Sequence, residues 1–333
     1  MSAESLDDRP PLDDRPPGGL AIGVDIGGSK AAAGVVDAAG RVLDRLQRPT
    51  PQMDAADTED VIAELVLELA GRHDVSAVGV GAAGWVAADR ARVLFAPHLA
   101  WRDEPLRDAL RARLDLPVWV ENDANAAAWA EHRFGAARGA AVALCVTLGT
   151  GIGGGMVLGG ELFRGAFGVA GEWGHLRVVP GGRRCACGNR GCWEQYASGR
   201  ALARDARELA ENSPVAARRM IELAGQFGAL QGTHVTAAAL EGDGAALDLV
   251  TEMGEWLGQG IAGLAAILDP DVVVVGGGVS ELGELLLAPA RARYAAVLTG
   301  RGFRPELTVR VAELGAAAGL VGAADLARLE TLG

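Results

Sequence analysis

Residues 20–30 read LAIGVDIGGSK, an apolar run that passes into a turn of two glycines. A second apolar run follows through Val36, and a third begins around Val42. Short apolar runs broken by glycine predict a strand, a tight turn and two further strands. Because glycine has no Cβ, the N–H groups of such a turn can approach phosphate oxygens closely. This stretch therefore predicts three consecutive strands, with a candidate phosphate-binding turn between the first two.

The same pattern returns in the middle of the chain. There, VALCVTL at residues 142–148 passes into the turn GTG and a second strand through Val157. Between the two copies the pattern predicts, in chain order, a helix at 57–72, a strand at 77–80, a helix at 103–114, a strand at 117–120 and a helix to about 134. Asp57 or Thr58 is the expected cap of the first helix. The order is β-β-β-α-β-α-β-α, and it is followed by a second copy of the strand–glycine turn–strand pattern that begins the chain, which we call the opening. A repeated opening predicts a duplicated α/β architecture with a cleft between its halves.

A third glycine turn lies in the second half, which is mainly helical with a long helix near 247–268. A buried strand is predicted at 271–275, and it ends at Gly276–Gly278. A last helix, 316–329, is expected to pack on the first half. None of the turns matches the Walker pattern, and Gly149–Gly154 joins two strands rather than a strand and a helix, so the dinucleotide fingerprint does not apply. Each turn alone is weak evidence, but the three together indicate a nucleotide site.

Composition narrows the class of protein. The chain has 333 residues and half of them are apolar, enough for two domains and a large buried core. Its 31 Lys and Arg against 43 Asp and Glu give a net charge of −12 and a pI near 5.0. Nucleic acids and anionic membranes both require a basic surface, and no apolar run is suited to span a bilayer. We therefore predict a soluble globular protein whose partners include neither nucleic acid nor membrane.

The first 19 residues stand apart from the rest. They contain the repeat LDDRPP, at Leu6 and again at Leu12, and are acidic and rich in proline. With no apolar core region the segment does not resemble a secretory signal, and it has too little to bury to fold. We predict a disordered tail over residues 1–19.

Four soft metal ligands occur in one stretch as His-x9-Cys-x-Cys-x4-Cys, namely His175, Cys185, Cys187 and Cys192. Three thiolates and one imidazole form the closed tetrahedral set that structural Zn²⁺ prefers. A disulfide is the alternative, but Cys185 and Cys187 are too close to pair well and an odd thiol would remain. The fourth cysteine, Cys145, lies in an apolar strand as a small hydrophobe. Thiols reserved for a metal predict a reducing, cytoplasmic location.

Two carboxylates flank this zinc motif. Glu172 comes three residues before the histidine, and Glu194 comes two after the last cysteine. A histidine bound to zinc through one ring nitrogen carries its proton on the other, so His175 would be a fixed hydrogen-bond donor. Two acceptors and a fixed donor suit a polyhydroxylated ligand such as a sugar. The alternative is that both glutamates are solvated surface residues.

Three further polar residues are candidates for the chemistry. Asp25 precedes the first glycine turn, where it could contact Mg²⁺ through water or simply stabilise the turn, and Lys30 adds positive charge nearby. Asn122 and Asp123 lie at a strand-to-helix junction, where either could cap the helix. Alternatively, Asp123 is a general base. A helix N-terminus favours the ionised carboxylate, a weak proton acceptor, but phosphoryl transfer needs the base mainly to orient the attacking hydroxyl.

Together these motifs resemble those of the ROK (repressor, open reading frame, kinase) family, and within it the bacterial glucokinases. The resemblance runs from about Leu20 to the C-terminus, with the motifs in the right order. They are DIGGSK at 25–30, ENDAN at 121–125, LGTGIGGG at 148–155, GEWGH at 171–175 and CACGNRGCWEQYASG at 185–199. Two positions depart from the family pattern, since Ser29 stands where Thr is commoner and Ala82–Ala83 replaces a turn that often contains proline.

The resemblance implies an α/β protein with the actin-like ATPase (ribonuclease H-like) fold, in which two domains flank a cleft. The smaller domain would comprise 20–122 and about 317–333, and the larger, with the zinc loop, 123–316. The implied activity is ATP-dependent phosphorylation of glucose in glycolysis, with Mg²⁺ accompanying ATP and structural Zn²⁺, in a homodimer or homotetramer.

The resemblance also implies roles for individual residues. Asp123 would deprotonate the C6 hydroxyl, and the sugar hydroxyls would be bound by Asn122, Glu172, His175 and Glu194. Zinc would be held by His175, Cys185, Cys187 and Cys192. The nucleotide and its Mg²⁺ would be bound by Asp25, Gly27, Gly28, Ser29, Lys30, Thr147, Gly149, Thr150, Gly151, Gly276, Gly277 and Gly278.

Two other functions compete with this one. A sugar-responsive transcriptional repressor would need a helix-turn-helix module, and the 19 acidic residues before the first strand are too few and of the wrong charge. A kinase for mannose, fructose or an N-acetylhexosamine, or one that uses polyphosphate as donor, differs only in details of the site. The sequence does not orient the hydroxyl-binding groups, so the choice of glucose comes from the resemblance alone.

Overall fold

The computed structural model describes residues 19–332, so the tail predicted for the residues before them lies outside the described part. Those residues form two compact units. The first contains 19–143, 155–171 and 316–332, and the second contains 144–154 and 172–315. The predicted domain boundary at Asn122 differs from this division, in which residues 123–143 belong to the first unit.

The first opening of the chain forms the predicted strands, and the segment after it adds a small second sheet. In chain order these elements are β1 (Leu20–Ile26), β2 (Lys30–Val36), β3 (Val42–Pro49), α1 (Ala55–Ala70), β4 (Val75–Ala82), β5 (Trp85–Val86), β6 (Val93–Phe95), β7 (Arg102–Glu104), α2 (Leu106–Arg111), β8 (Val118–Asn122) and α3 (Asp123–Phe134). The main sheet has the order β3-β2-β1-β4-β8. Strand β2 is antiparallel to β1 and β3, whereas β4 is parallel to β1 and β8.

The second opening repeats this arrangement. The remaining elements are β9 (Val142–Leu148), β10 (Ile152–Leu158), β11 (Glu161–Leu162), α4 (Gly199–Asn212), α5 (Arg218–Ala224), α6 (Gly232–Leu240), α7 (Gly244–Leu268), β12 (Val272–Gly276), α8 (Glu284–Val297), β13 (Thr308–Val311) and α9 (Ala318–Leu332). Their sheet has the order β11-β10-β9-β12-β13, which places its five strands in the same succession as the first sheet. The predicted duplication is thereby confirmed.

Two predicted helix starts were wrong. Helix α1 is capped by Asp54, whose carboxylate accepts from the N–H groups of Ala56 and Asp57, rather than by Asp57 or Thr58. The helix predicted from residue 103 begins at Leu106 instead. Pro105 explains the difference, because proline disfavours helical backbone at the residue before it. The preceding strands, which form the small antiparallel sheet β5-β6-β7, are too short to show an alternating pattern.

The last helix packs on the first sheet at unusually close range. Gly23 and Gly79 are neighbours in register on β1 and β4, and a Cβ built on either would overlap a carbonyl oxygen of α9. These glycines therefore let a helix backbone rest directly on two strands.

We expect Gly79→Ala to lower the free energy of unfolding by roughly 2–3 kcal/mol, because the new methyl group has no room against Ala323. Urea denaturation followed by far-UV circular dichroism measures this. Gly244→Ala, at the first position of α7, is the control, since a Cβ there meets no atom within 4 Å. Equal stability of the two variants would contradict the close packing.

Two carboxyl groups, Glu59 of α1 and Glu104 of β7, lie within hydrogen-bonding distance of each other. Burial of Glu59 and the nearby Glu104 carboxylate raise the pKa of Glu59 to about 7, although Arg113 opposes the shift. The raised pKa means that the folded state favours the protonated acid. Its contribution to stability is therefore complete below about pH 4.5 and is lost as the pH rises through about 7.

We therefore expect the melting temperature to fall between pH 5 and pH 8 by more in the wild type than in Glu59→Gln, which cannot ionise. Thermal melts across this pH range make the comparison, and parallel profiles for the two proteins would contradict the assignment.

No helix in the described part of the chain is long and apolar enough to cross a membrane.

Candidate active site

The first glycine turn is closed by Gly27 N, which donates to Lys30 O at 3.0 Å. Its carbonyl groups are occupied: Gly27 O accepts from Thr50 Oγ1 at 3.0 Å, Ser29 O accepts from Thr50 N at 3.2 Å, and Gly28 O accepts from the side chain of Gln52. The N–H groups of Gly28 and Ser29 donate to no protein acceptor among residues 19–332. Two adjacent N–H groups of this kind can bind an oxyanion.

Asp25 lies at the end of β1 beside this turn. Burial raises the pKa of its carboxyl group, and the positive charges of Lys30 and Arg45 only partly oppose this. The carboxylate lies against Gly319 at the start of α9, where a Cβ would be 3.3 Å from Asp25 Cγ. A partly desolvated carboxylate next to a phosphate-binding turn fits Mg²⁺, which is usually held by one or two carboxylates, water and phosphate oxygens.

Asn122 and Asp123 take different positions at their junction. Asn122 is the N-cap of α3: its Oδ1 accepts from Asn125 N at 2.9 Å, and its Nδ2 donates to Gly84 O at 3.0 Å. Asp123 is the first residue of the helix, and its Oδ1 accepts from Ala124 N at 2.9 Å and from Asn122 Nδ2 at 3.2 Å. The capping role that the sequence left open therefore belongs to Asn122.

The register of the first sheet brings these groups to one edge. Asp25 on β1 is level with Gly81 on β4, which in turn is level with Glu121 on β8, the residue before Asn122. The three strands are parallel, so their carboxyl ends share an edge. Ligands of open α/β sheets bind at such an edge.

Two residues near these groups were missed from the sequence. His98 lies against the first turn, where a Cβ on Gly28 would be 2.8 Å from the Cβ of the histidine. Glu121 is buried below the Asn122–Asp123 junction and pairs with Arg164. Glu121 could have been noticed from the sequence, because it is a charged residue in a mostly apolar strand. No such signal exists for His98, which only the fold brings to the turn.

The second glycine turn, in the second unit, has the same character as the first. Its own residues close it through Gly149 N, which donates to Gly151 O at 3.0 Å, and Gly199 N donates to Gly149 O at 2.9 Å. Within the described residues, the N–H groups of Thr150 and Gly151 have no protein acceptor. Thr147 is half-buried and is the last residue but one of β9, two positions before Gly149.

The third glycine turn packs against the strand that leads to the second. Gly277 has φ +85°, which favours glycine, and a Cβ there would overlap the Leu148 carbonyl oxygen. Ser280 holds the turn in place, because its N and Oγ both donate to Gly277 O, at 2.9 and 2.7 Å. Gly276 is buried, whereas Gly277 and Gly278 are exposed. Two of the three predicted nucleotide turns thus lie side by side in the second unit.

The four soft ligands come together in the second unit. The ligand atoms of His175, Cys185, Cys187 and Cys192 all lie within 4.8 Å of one another. Cys187 Sγ is 3.6 Å from Cys192 Sγ, and Cys185 Sγ is 3.7 Å from His175 Nδ1. Tetrahedral zinc with its usual bond lengths would place pairs of sulfurs about 3.8 Å apart, and a sulfur and a nitrogen about 3.6 Å apart. The donor set and its spacing therefore fit Zn²⁺.

The two predicted sugar-binding glutamates of this unit lie beside the cluster. Nδ1 of His175 faces Cys185, and its Nε2 lies 3.8 Å from Glu172 Oε2. Oε1 of Glu194 lies 3.0 Å from Cys185 Sγ, while its Oε2 faces Gly151, where a Cβ would be 2.5 Å away. Glu194 therefore contacts both the metal cluster and the second glycine turn.

Comparison with known proteins gives a consistent result. The model of the ROK family matches residues 21–330. The glucokinase of Streptomyces coelicolor is 50% identical over 311 residues, 93% of this chain and 98% of that protein. A crystal structure of a ROK family glucokinase from Streptomyces griseus, in complex with glucose and AMPPNP, has a TM-score of 0.87 and 52% identity, covering 93% of this chain and 100% of that one.

A ROK hexokinase from Thermus thermophilus has a TM-score of 0.76 and 38% identity, covering 94% and 99% of the two chains. The sugar kinases of this family have the actin-like ATPase fold, so the predicted fold is confirmed. Since the family model matches residues 21–330 and these relatives cover more than nine tenths of the chain, the chain belongs to the ROK family.

Proposed function

We propose that this protein is a glucokinase, which transfers the γ-phosphate of ATP to the C6 hydroxyl of glucose and releases glucose 6-phosphate and ADP. The observation that carries this function is the likeness of nearly the whole chain to Streptomyces glucokinases, one of them solved with glucose and AMPPNP. The glycine turns and the carboxylate at the Asn122–Asp123 junction are the groups that such a reaction needs.

The two hairpin turns are the proposed phosphate-binding groups. Each offers a pair of N–H groups without a protein acceptor among the described residues, from Gly28 and Ser29 in one and from Thr150 and Gly151 in the other. Such groups stabilise the negative charge on transferring phosphoryl oxygens. Lys30 adds a positive charge at the first turn, and Gly276–Gly278 would approach the adenosine. Bound Mg²⁺, near Asp25, would neutralise charge on the phosphates.

Asp123 is the proposed base. The C6 oxygen attacks the γ-phosphorus, the proton of that hydroxyl passes to the Asp123 carboxylate, and the bond to the β-phosphate oxygen breaks as ADP leaves. Because the transition state is loose, the carboxylate contributes chiefly by orienting the hydroxyl. Hydrogen bonds from Ala124 N and Asn122 Nδ2 to Oδ1 restrict its rotation, which supports this role.

Asn122, Glu172, His175 and Glu194 are the proposed sugar-binding residues. Structural Zn²⁺ on the four soft ligands would fix the orientation of His175, whose Nε2 side lies near Glu172. A ligating histidine is generally oriented by a hydrogen bond at its second nitrogen. In this proposal zinc takes no part in the chemistry, and its role is to hold the residues that recognise the sugar.

A coupled assay of ADP release over a panel of sugars tests the function. The panel comprises glucose, mannose, fructose and N-acetylhexosamines, each with ATP and with polyphosphate as donor. We expect glucose with ATP to give the highest kcat/KM. A higher value for another sugar, or for polyphosphate, would replace this function by one of the alternative kinases. Binding of upstream DNA without any phosphorylation would indicate a repressor.

We also propose that the enzyme acts in the cytoplasm, in glycolysis, as a homodimer or homotetramer. Cysteines arranged for a metal support a reducing compartment, while the oligomeric state is suggested by the family resemblance. Light scattering coupled to size-exclusion chromatography measures the mass of the assembly, and a monomer at working concentration would contradict the oligomer.

A further inference from the structure

A carboxylate with almost no solvent exposure lies directly below the Asn122–Asp123 junction. Glu121 is 3% exposed and follows two fully buried valines, Val118 and Val120, in β8. Burying a charged carboxylate costs several kcal/mol unless charged partners and hydrogen bonds offset that cost. The partners of Glu121 therefore indicate which part of the structure its burial stabilises.

One oxygen of Glu121 is held by arginines. Oε2 accepts from Arg164 Nε at 2.6 Å, and Arg90 Nε lies 3.7 Å away. Arg90 also pairs with Glu330 of α9. The short contact with Arg164 is the charge-assisted bond that fixes the carboxylate in place.

The other oxygen of Glu121 joins the end of the strand to the start of the helix. Oε1 accepts from Asn122 N at 3.0 Å and from Asn125 Nδ2 at 3.1 Å. Asn125 is 1% exposed and lies in the first turn of α3. Its N–H donates in turn to Oδ1 of Asn122, at 2.9 Å. A single carboxylate thus binds both sides of the junction.

Asp123 depends on the geometry of this junction. Its Oδ1 accepts from Asn122 Nδ2 and from Ala124 N, both of which belong to the segment that Glu121 holds. In a reaction that relies on orientation, a displacement of about 1 Å in a catalytic group can reduce the rate about 100-fold.

We propose that Glu121, held by Arg164, is a positioning residue for phosphoryl transfer: it fixes the β8–α3 junction so that the Asp123 carboxylate meets the sugar hydroxyl. This inference rests on the proposed function and adds to it a residue that acts through Asp123 rather than on the substrate.

The substitution Glu121→Gln tests this proposal, because it keeps the size of the side chain and removes the charge that pairs with Arg164. We expect kcat at saturating glucose and ATP to fall about tenfold, with the KM for glucose changed by less than about threefold. In an Asp123→Ala background the same substitution should lower kcat by less than about twofold, because its effect passes through Asp123. An equal loss in both backgrounds would show a merely structural role and overturn the proposal.

Glu131→Gln is the matched control. Glu131 is also buried in α3, at 1% exposure, and its Oε2 accepts from Ala136 N at 2.9 Å, beyond the far end of the helix. It should lower thermal stability while leaving kcat within about twofold of the wild type. A loss of kcat like that of Glu121→Gln would mean that any loosening of α3 impairs catalysis, which would contradict a specific role for Glu121.

If Glu121→Gln does not fold, Asn125→Ala removes only the side-chain contact to Oε1. We expect it to lower kcat about threefold, and this loss also should disappear in the Asp123→Ala background.

Failure of the function and failure of the inference are distinguishable. A wild-type enzyme without glucose kinase activity contradicts the proposed function, and Asp123→Ala with normal kcat contradicts the base on which the inference depends. If kcat falls in Asp123→Ala but stays normal in Glu121→Gln and Asn125→Ala, only the inference is contradicted.

Discussion

Replacing Asp123 with alanine is expected to lower kcat for glucose phosphorylation by a factor of about 100 or more, the usual contribution of a positioned acid or base. The dissociation constant of glucose should stay within about twofold, because the hydroxyl-binding residues remain. The carboxylate would contribute in the transition state, where the hydroxyl proton is transferred, rather than in the ground-state complex. Steady-state kinetics with both substrates varied, together with calorimetric titration of glucose, measure the two quantities separately.

The alternative explanation of such a loss is a weakened helix. Asp123 is an acidic residue in the first turn of α3, and such residues stabilise a helix by about 0.3–1 kcal/mol. Asp57→Ala removes the corresponding acidic residue from the first turn of α1 and is the matched control, with kcat expected to be unchanged. Asp123→Asn keeps the shape and an acceptor oxygen that can orient the hydroxyl but cannot take up its proton, so its kcat should lie between those of the wild type and the alanine variant. A change confined to KM would count against a base.

Much of the fold could be predicted because local chemistry determines it. The first opening, residues 20–30, and its repeat at 142–148 both alternate buried strands with glycine turns, and their sheets have the same strand order. The grouping of the four soft ligands was equally predictable, since residues within one loop can come together with no information about distant parts of the chain. These predictions depend on spacing alone, which the sequence contains in full.

Other features could not be predicted because they depend on residues far apart in the chain. Arg164 pairs with Glu121 over 43 positions, and the pairing exists only once β8 and the segment after β11 are folded. Asp54 was passed over as a helix cap because Asp57 and Thr58 are equally good local candidates. The close approach of α9 to Gly23 and Gly79 leaves no local signal beyond two glycines in strands. Long-range packing decided the Arg164–Glu121 pair and the approach of α9, whereas the cap at Asp54 was a choice among local candidates.

The second large effect is expected from Cys187→Ala. The wild-type protein should contain about one zinc ion per chain, whereas this variant should contain almost none, because a structural site needs all four ligands. We expect glucose affinity to fall by about tenfold at the same time, because the metal fixes the orientation of His175, and disturbing the groups around a metal site commonly costs about 10- to 100-fold in metal affinity or activity. Metal analysis by mass spectrometry and calorimetric titration of glucose give the two values.

The coupling follows from the position of the metal ligands in a loop without regular secondary structure. Between Leu176 and Cys192 the chain forms no helix or strand, only the isolated bridges Arg177–Cys192 and Arg184–Arg190. Glu194 comes two residues after Cys192, and its Oε1 lies 3.0 Å from Cys185 Sγ. Loss of the metal would release His175 and Cys192, and with Cys192 the short segment that carries Glu194. Folding and metal binding are commonly linked in sites of this kind.

Cys145→Ala is the control for the loss of a thiol. Cys145 is buried in β9 and is the one cysteine of the described chain outside the cluster, so this variant should keep its zinc and bind glucose normally. Removing zinc from the wild type with a chelator, then restoring it, separates loss of metal from damage by substitution: glucose affinity should fall and then recover. If metal-free protein bound glucose as tightly as the zinc-loaded form, the protein alone would orient His175 and Glu194. Zinc would then stabilise only the loop that binds it.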